Sequence, residues 1–352
     1  MELVDILKTA VEKKASDIFF VVGQPITYKI ENTLEKHDDQ KLWVDDTKKI
    51  TDGLYELANR DNKRFVTTGD DDFSVSVAQV GRFRVNVFKQ RGSCSAVLRV
   101  VNFSLPNYEE MGIPDTVMNL ANLKKGLVLV TGAAGSGKST TISYIIDRIN
   151  ETRNCHILTL EDPIEFLHKH KKSIVSQREI NLDSESYAKA LRAGMRQSPD
   201  VILVGEMRDL ETIEIAMTAA ETGHLVLSTL HTVGVSNAID RIIDVFPAAQ
   251  QQQMRFQMSM VLQAIVSQQL VPGINGKQVP AFEILKANNA IRTLIREGKG
   301  HQIASAMQAS GKTEMITMDR CLAAMYKYGQ IEAEVAMDYS TEPDAMKRLL
   351  GL

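Results

Sequence analysis

Residues 126–140 read GLVLVTGAAGSGKST. The run Leu127-Val128-Leu129-Val130 is apolar at successive positions, as expected of a strand covered on both faces. Gly132-Ala133-Ala134-Gly135-Ser136-Gly137-Lys138-Ser139 follows at once and fits the pattern GxxxxGK[ST], and TTISYIIDRI, from Thr140 onward, continues at helical spacing. Strand, glycine-rich turn and helix in that order make a phosphate cradle. The glycines let backbone N–H groups turn inward and the helix N-terminus adds partial positive charge. Lys138 neutralises the β and γ phosphates, and the Ser139 hydroxyl binds Mg²⁺. Gly132 to Thr140 are therefore expected to hold ATP with Mg²⁺.

Downstream, CHILTLE, VILVGE and HLVLSTL repeat the apolar-run pattern between helical stretches, which predicts an α/β domain with a buried parallel sheet. In DVILVGEMRD, residues 200–209, Glu206 ends one such strand at the sheet edge where α/β proteins bind ligands. It is expected to polarise the attacking water or to hold Mg²⁺ through its water shell. ILTLEDPIEF, residues 157–166, brings Glu161, Asp162 and Glu165 to the same edge, with Glu161 a further catalytic candidate. ETGHLVLSTLHT, residues 221–232, brackets a strand with two histidines. His231, just past the strand end, stands where a sensor of the γ-phosphate belongs; His224 is open between a structural and a catalytic role.

The 352 residues suggest two domains, and a formal net charge of −3 argues against retention on nucleic acid by overall charge. With 44% hydrophobic and 24% charged residues, a disordered or low-complexity chain is excluded. The three cysteines form no CxxC pair, so neither a disulfide framework nor a zinc knuckle is indicated and a reducing cytosol fits. No run of about 18 apolar residues occurs, so membrane association is expected through a partner.

Upstream, Leu3, Ile6, Leu7, Ala10 and Val11 recur at helical spacing, and IFFVVG, residues 18–23, reads as a buried strand. FSVSVAQ and RFRVNVF alternate with period two and read as an antiparallel hairpin, followed by the strand SAVLRVV. NFSLPNYEEMGIPD has the composition of a linker, which gives an N-terminal domain over 1–103, a linker over 104–117 and a second domain over 118–352. Beyond residue 247 the signal is mostly helical: Met254, Met258, Val261, Leu262, Ile265 and Val266 are spaced as one helix face, and QVPAFEIL reads as an edge strand.

The boxes GAAGSGKST, TLEDPIE, GEMRD and TGHLVLSTLHT, in this order, resemble the secretion ATPase superfamily, and within it the type IV pilus retraction ATPases of the PilT/PilU kind. AIRTLIREGKGHQI, residues 290–303, is similar to the AIRNLIREGK signature of retraction motors, with Thr293 in place of Asn. It is expected to form a helix from about Asn288-Asn289, with Ile291, Leu294 and Ile295 inward and Arg292, Arg296 and Lys299 on the other face. The resemblance implies a PAS-like α+β N-terminal domain followed by a RecA-like ATPase domain with a helical C-terminal part. It implies a homohexameric motor that hydrolyses ATP to drive pilus retraction and twitching motility. It further implies a cytoplasmic site at the inner membrane, held by the platform protein and pilus machinery beside a paralogous retraction ATPase.

By the same resemblance Arg82, Arg84, Arg91 and Arg99 reach the nucleotide phosphates, for which planar guanidinium groups are suited. The chain departs from the family in carrying Ser16-Asp17-Ile18-Phe19-Phe20 for SDLHL, which is closer to the accessory PilU type, and Ala133 where proline is common. A tetracysteine zinc site, the mark of one extension ATPase subgroup, is missing. Main and accessory retraction motors thus stay open. A RecA-like nucleic-acid motor would need a basic groove or a stacking platform, yet one Trp is present and charge is balanced. A non-catalytic ring component is opposed by the intact Lys138, Ser139 and Glu206.

Overall fold

The structure, a computed structural model, describes residues 2–31, 33–101, 105, 108, 111–310 and 315–351. The chain divides into two compact units, Met1–Ser104 with Pro163–Leu167, and Leu105–Asp162 with His168–Leu352.

In the first unit, helix α1 (Leu3–Glu12) turns Ile6, Leu7 and Ala10 inward. Strands β1 (Asp17–Phe20), β2 (Pro25–Ile30) and β3 (Thr33–Lys41) precede helices α2 (Val44–Leu57) and α3 (Lys63–Thr68), and β4 (Asp70–Val77), β5 (Gly81–Gln90) and β6 (Ser93–Val101) complete an antiparallel sheet of order β3-β2-β1-β6-β5-β4. The period-two pattern decides the hairpin. Phe73 pairs with Val85 and Val75 with Phe83, and these four join Ile18, Phe20, Tyr28 and Leu98 in one core. The alternate positions are polar: Ser74 faces Arg84, Ser76 faces Arg82, and Arg84 lies opposite Arg99. Arg91 and Gly92 turn β5 into β6, both at positive φ (51° and 79°).

The second unit opens with α4 (Asp115–Met118). Of the stretch read as a linker, residues 104, 106–107 and 109–110 lie outside the described residues, while Ile113 and Val117 are buried in the second unit's core. The unit then alternates β7 (Gly126–Thr131), α5 (Lys138–Thr152), β8 (His156–Glu161), β9 (Ile174–Glu179), α6 (Tyr187–Gly194), β10 (Val201–Val204), α7 (Leu210–Glu221), β11 (Leu225–Leu230), α8 (Val235–Asp244), α9 (Ala248–Val261), β12 (Leu262–Pro272) and β13 (Gln278–Lys286). The sheet order is β13-β12-β7-β11-β10-β8-β9, parallel except for β13. Successive strand residues point to opposite faces, so Leu127, Leu129, Leu158, Leu160, Ile202 and Val204 meet one helical layer. Val128, Val130, Ile157 and Leu203 meet α5 through Ile142, Ile145, Ile146 and Ile149.

One expectation is corrected here. Met254, Met258 and Val261 belong to helix α9, but Leu262, Ile265 and Val266 lie on strand β12, which runs parallel to β7 with Ile265 beside Leu129 and Val266 beside Val130. A strand buried on both faces is apolar at consecutive positions, so its residues can extend a helical pattern by coincidence. QVPAFEIL falls within β13, at the sheet edge. The chain ends in α10 (Asn289–Arg296), α11 (Ile303–Ala309), α12 (Met318–Lys327), α13 (Ala333–Asp338) and α14 (Pro343–Leu350). Met318, Leu322, Met325, Ile331, Ala336 and Met346 form a small core there with Val271 and Ala281 of the edge strands.

Candidate active site

The parallel ladder fixes what meets at the strand ends. Thr131 pairs with Leu230 and Val204 with both Ser228 and Leu160. Gly132, His231, Glu206 and Glu161 are therefore delivered to one edge by four adjacent strands.

At Gly132 the backbone runs at φ +145°, and a Cβ there would lie 2.2 Å from the Gln268 carbonyl oxygen and 2.6 Å from Ser136 Oγ. Only glycine fits this packing. Lys138 opens α5, is 7% exposed, and its Nζ donates to the carbonyls of Gly132 (2.9 Å) and Ala133 (2.8 Å), so the ammonium already sits within the loop. Ser139 is the second residue of that helix. Thr141 Oγ1 donates to Gln268 Oε1 at 2.7 Å, which ties α5 to β12. Beside the loop, a cavity of about 880 Å³ is lined by Gly135, Gly137, Thr140 and Gln268, with Ile113 and Met325 among its apolar walls. Its size and mixed lining suit a nucleoside.

Glu206 is nearly covered, its side chain 13% exposed; Oε2 pairs with the Arg208 guanidinium, Nε at 2.6 Å, and lies 3.5 Å from His231 Nε2, in neither case with an aligned hydrogen bond. Thr229 Oγ1 donates to the Gly205 carbonyl at 2.6 Å and steadies the turn that carries Glu206. A second cavity, about 370 Å³, is lined by Glu206, Arg208, Thr229, His231 and Arg241. Glycine at 205 has a steric cause: a Cβ would meet Tyr187 Oη at 2.8 Å and the Leu160 carbonyl at 3.1 Å. Burial raises the Tyr187 hydroxyl's pKa, and Asp162, Glu206 and Glu161 add to the shift, so the phenol stays protonated among these carboxylates. Glu161 Oε1 accepts from Thr159 Oγ1 at 2.6 Å and from Gln177 Nε2 at 3.3 Å.

The remaining candidates divide. His224 Nδ1 bonds the Ala219 carbonyl at 2.9 Å, at the end of α7, which is a structural tie. Arg82, Arg84, Arg91 and Arg99 belong to the first unit, where Arg82 Nη1 donates to Ser76 Oγ (3.0 Å) and Arg99 Nε to Asp17 Oδ1 (3.1 Å). Helix α10 is capped by Asn288, whose side chain accepts from the Ile291 amide at 3.0 Å, and Ile291 and Ile295 are buried. Arg292 departs from the solvent-facing role expected of it: Nη1 donates to the carbonyls of Ser259 and Met260, closing the C-terminal turn of α9. Gln268 and Tyr187 were not singled out in the sequence. The three polar residues Ser267-Gln268-Gln269 interrupting the apolar run of β12 were the available signal for Gln268; for Tyr187 there was none.

Comparison with known proteins agrees with this geometry. The family model described as type II/IV secretion system protein matches residues 2–346. The type IV pilus retraction ATPase PilT of Pseudomonas aeruginosa is 41% identical over 345 residues, covering 98% of this chain and 99% of that protein. The PilU ATPase of the same organism is 36% identical over 353 residues, covering 100% and 92%. The crystal structure of the pilus retraction motor PilT with bound ADP superposes with a TM-score of 0.90 at 47% identity, covering 99% of each chain. With a nucleotide cradle, a covered carboxylate at the neighbouring strand end and these relatives along its length, the chain belongs to the type II/IV secretion system protein family, on the branch of the type IV pilus retraction ATPases.

Proposed function

We propose that this chain is a pilus-retraction motor that works as a homohexameric ring at the cytoplasmic face of the inner membrane, coupled to the pilus machinery through its platform protein. The observation that carries the reading is the delivery of a glycine-built phosphate loop and the Glu206–His231 pair to one sheet edge. Lys138 leaves the loop carbonyls to meet the β and γ phosphates of ATP. Glu206 orients and deprotonates the attacking water, and Glu161 supports the site from the adjacent strand. His231, paired with Glu206, senses the terminal phosphate. The Ser139 hydroxyl and the Glu206 carboxylate, whose Oε2 accepts no aligned hydrogen bond, fit Mg²⁺, which when bound supplies charge neutralisation on the transferring phosphoryl group. Arg82, Arg84, Arg91 and Arg99 add guanidinium charge to phosphates held by another copy.

A second reading, the accessory motor of the PilU type, is favoured by Ile18-Phe19-Phe20 where a histidine is usual. The test is expression in cells whose own retraction ATPase is deleted. The unchanged chain is expected to restore pilus retraction and its Lys138→Ala variant to restore none. Restoration only alongside the resident PilT would favour the accessory reading, and restoration by Lys138→Ala would overturn both.

A further inference from the structure

Glu283, on the edge strand β13, is 7% exposed and carries none of the roles assigned above. Its Oε2 accepts from the Val235 amide at 3.0 Å, and the Met318 amide also donates to this carboxylate. Val235 opens α8 and Met318 opens α12. One buried carboxylate thus serves two helix N-termini, each of which favours negative charge.

Its partner in the β12–β13 register is Ser267, fully buried, whose Oγ accepts from the Gly234 amide at 2.9 Å. The pair Ser267–Glu283 therefore clasps two consecutive amides, Gly234 and Val235, at the end of the loop that begins with His231. The next pair along the ladder is Gln268–Phe282. Gln268 holds Thr141 of α5, and its carbonyl occupies the space a side chain at Gly132 would need. Neighbouring residues of one strand thus grip the phosphate loop and the histidine loop.

The carboxylate therefore links three elements, β13, α8 and α12, at one buried point. Burial raises the Glu283 pKa above 4.5, and the nearby Asp319 adds to the rise, while the Val235 and Met318 amides oppose it. Between the ordinary value and the raised one the folded chain binds more protons than the unfolded chain. This group's contribution therefore declines as pH rises through that window.

We propose that Glu283, with Ser267, is a positioning residue for ATP hydrolysis: it holds the His231 loop in register with the phosphate loop and ties it to α12. Helix α12 and the turn after it supply Met325, Gly329 and Gln330 to the wall of the larger cavity, so nucleotide occupancy there is transmitted to the histidine through one side chain. The inference rests on the role given to His231.

The test compares Glu283→Gln, Ser267→Ala, His231→Ala and the double variant Glu283→Gln/His231→Ala in the purified full chain. It reads kcat, the dissociation constant of a fluorescent ADP analogue, and Tm. Glutamine keeps the shape but replaces one acceptor oxygen of the carboxylate with an NH₂ donor. Glu283→Gln is expected to lower kcat about tenfold or more, as small misplacements near a reacting centre do. ADP affinity should stay within about threefold and Tm unchanged or higher. Ser267→Ala should move kcat in the same direction, and the double variant should be no slower than His231→Ala alone. Parallel losses of Tm and ADP affinity, or fully additive effects, would overturn the proposal. Unchanged kcat in Glu283→Gln, with His231→Ala impaired, would remove the brace and leave the histidine. Unchanged kcat in His231→Ala would remove the histidine's role and this proposal with it.

Discussion

Glu206 reaches the sheet edge because β10 ends at Val204 and Gly205 leaves room for Tyr187. Arg208 Nε and His231 Nε2 both face its Oε2 and fix where the carboxylate points. Glu206→Gln keeps volume and removes the base, so turnover is expected to fall by about two to four orders of magnitude, the usual contribution of a positioned acid or base. Nucleotide binding, which the proposal places on the loop 132–140, should persist. Phosphate release and ADP titration on the same preparation check this; lost binding with normal turnover would contradict it. That Lys138, Gly132, Glu206 and His231 stand at one sheet edge was legible in the sequence because each lies in a short box at the end of an apolar strand. Gln268 was not, since it meets Thr141 across 127 residues of sequence, and only the neighbouring of β12 and β7 brings them together. Tyr187 stayed hidden for a like reason: its carboxylate neighbours come from two other strand ends.

The element scale explains both what was read correctly and what was not. Apolar runs predicted β7, β8, β10 and β11, since flanking glycines and polar residues bound each of them. The α9–β12 junction has no such punctuation, and the helical reading ran on into the strand. The same junction gives Arg292 its place, because a helix that stops abruptly at Val261 leaves carbonyls to be satisfied. Arg292→Glu should therefore cost on the order of 2 kcal/mol, through lost charged hydrogen bonds and an acidic group set against a helix C-terminus. Arg296 bonds Thr293 Oγ1 on its own helix, so Arg296→Glu should stay within about 0.5 kcal/mol. Urea unfolding midpoints distinguish the two, and equal shifts would show that Arg292 caps nothing. A retraction defect in Arg296→Glu at normal stability would mark the half-buried Arg296 face of this helix as a coupling surface.

For the whole molecule the decisive feature is that the four candidate arginines, Arg82, Arg84, Arg91 and Arg99, lie on the first unit and the phosphate loop on the second. Arg84 stands directly opposite Arg99 on neighbouring strands, an arrangement that costs roughly a few tenths of a kcal/mol or more. Asp17 relieves Arg99, while Arg84 remains exposed. Such a pair of guanidinium groups fits an anionic ligand, and in the ring proposed above, where one copy's arginines would meet another copy's nucleotide, activity would be a property of the assembly. The most direct measurement of this account is ATP turnover in mixed rings. Arg82→Ala/Arg84→Ala chains and Lys138→Ala chains, each impaired alone, are mixed under conditions that exchange subunits. The account predicts recovery, because roughly a quarter of the head-to-tail interfaces would then join an intact phosphate loop to intact arginines. Turnover that stays at the level of the separate variants in fully exchanged rings would contradict it.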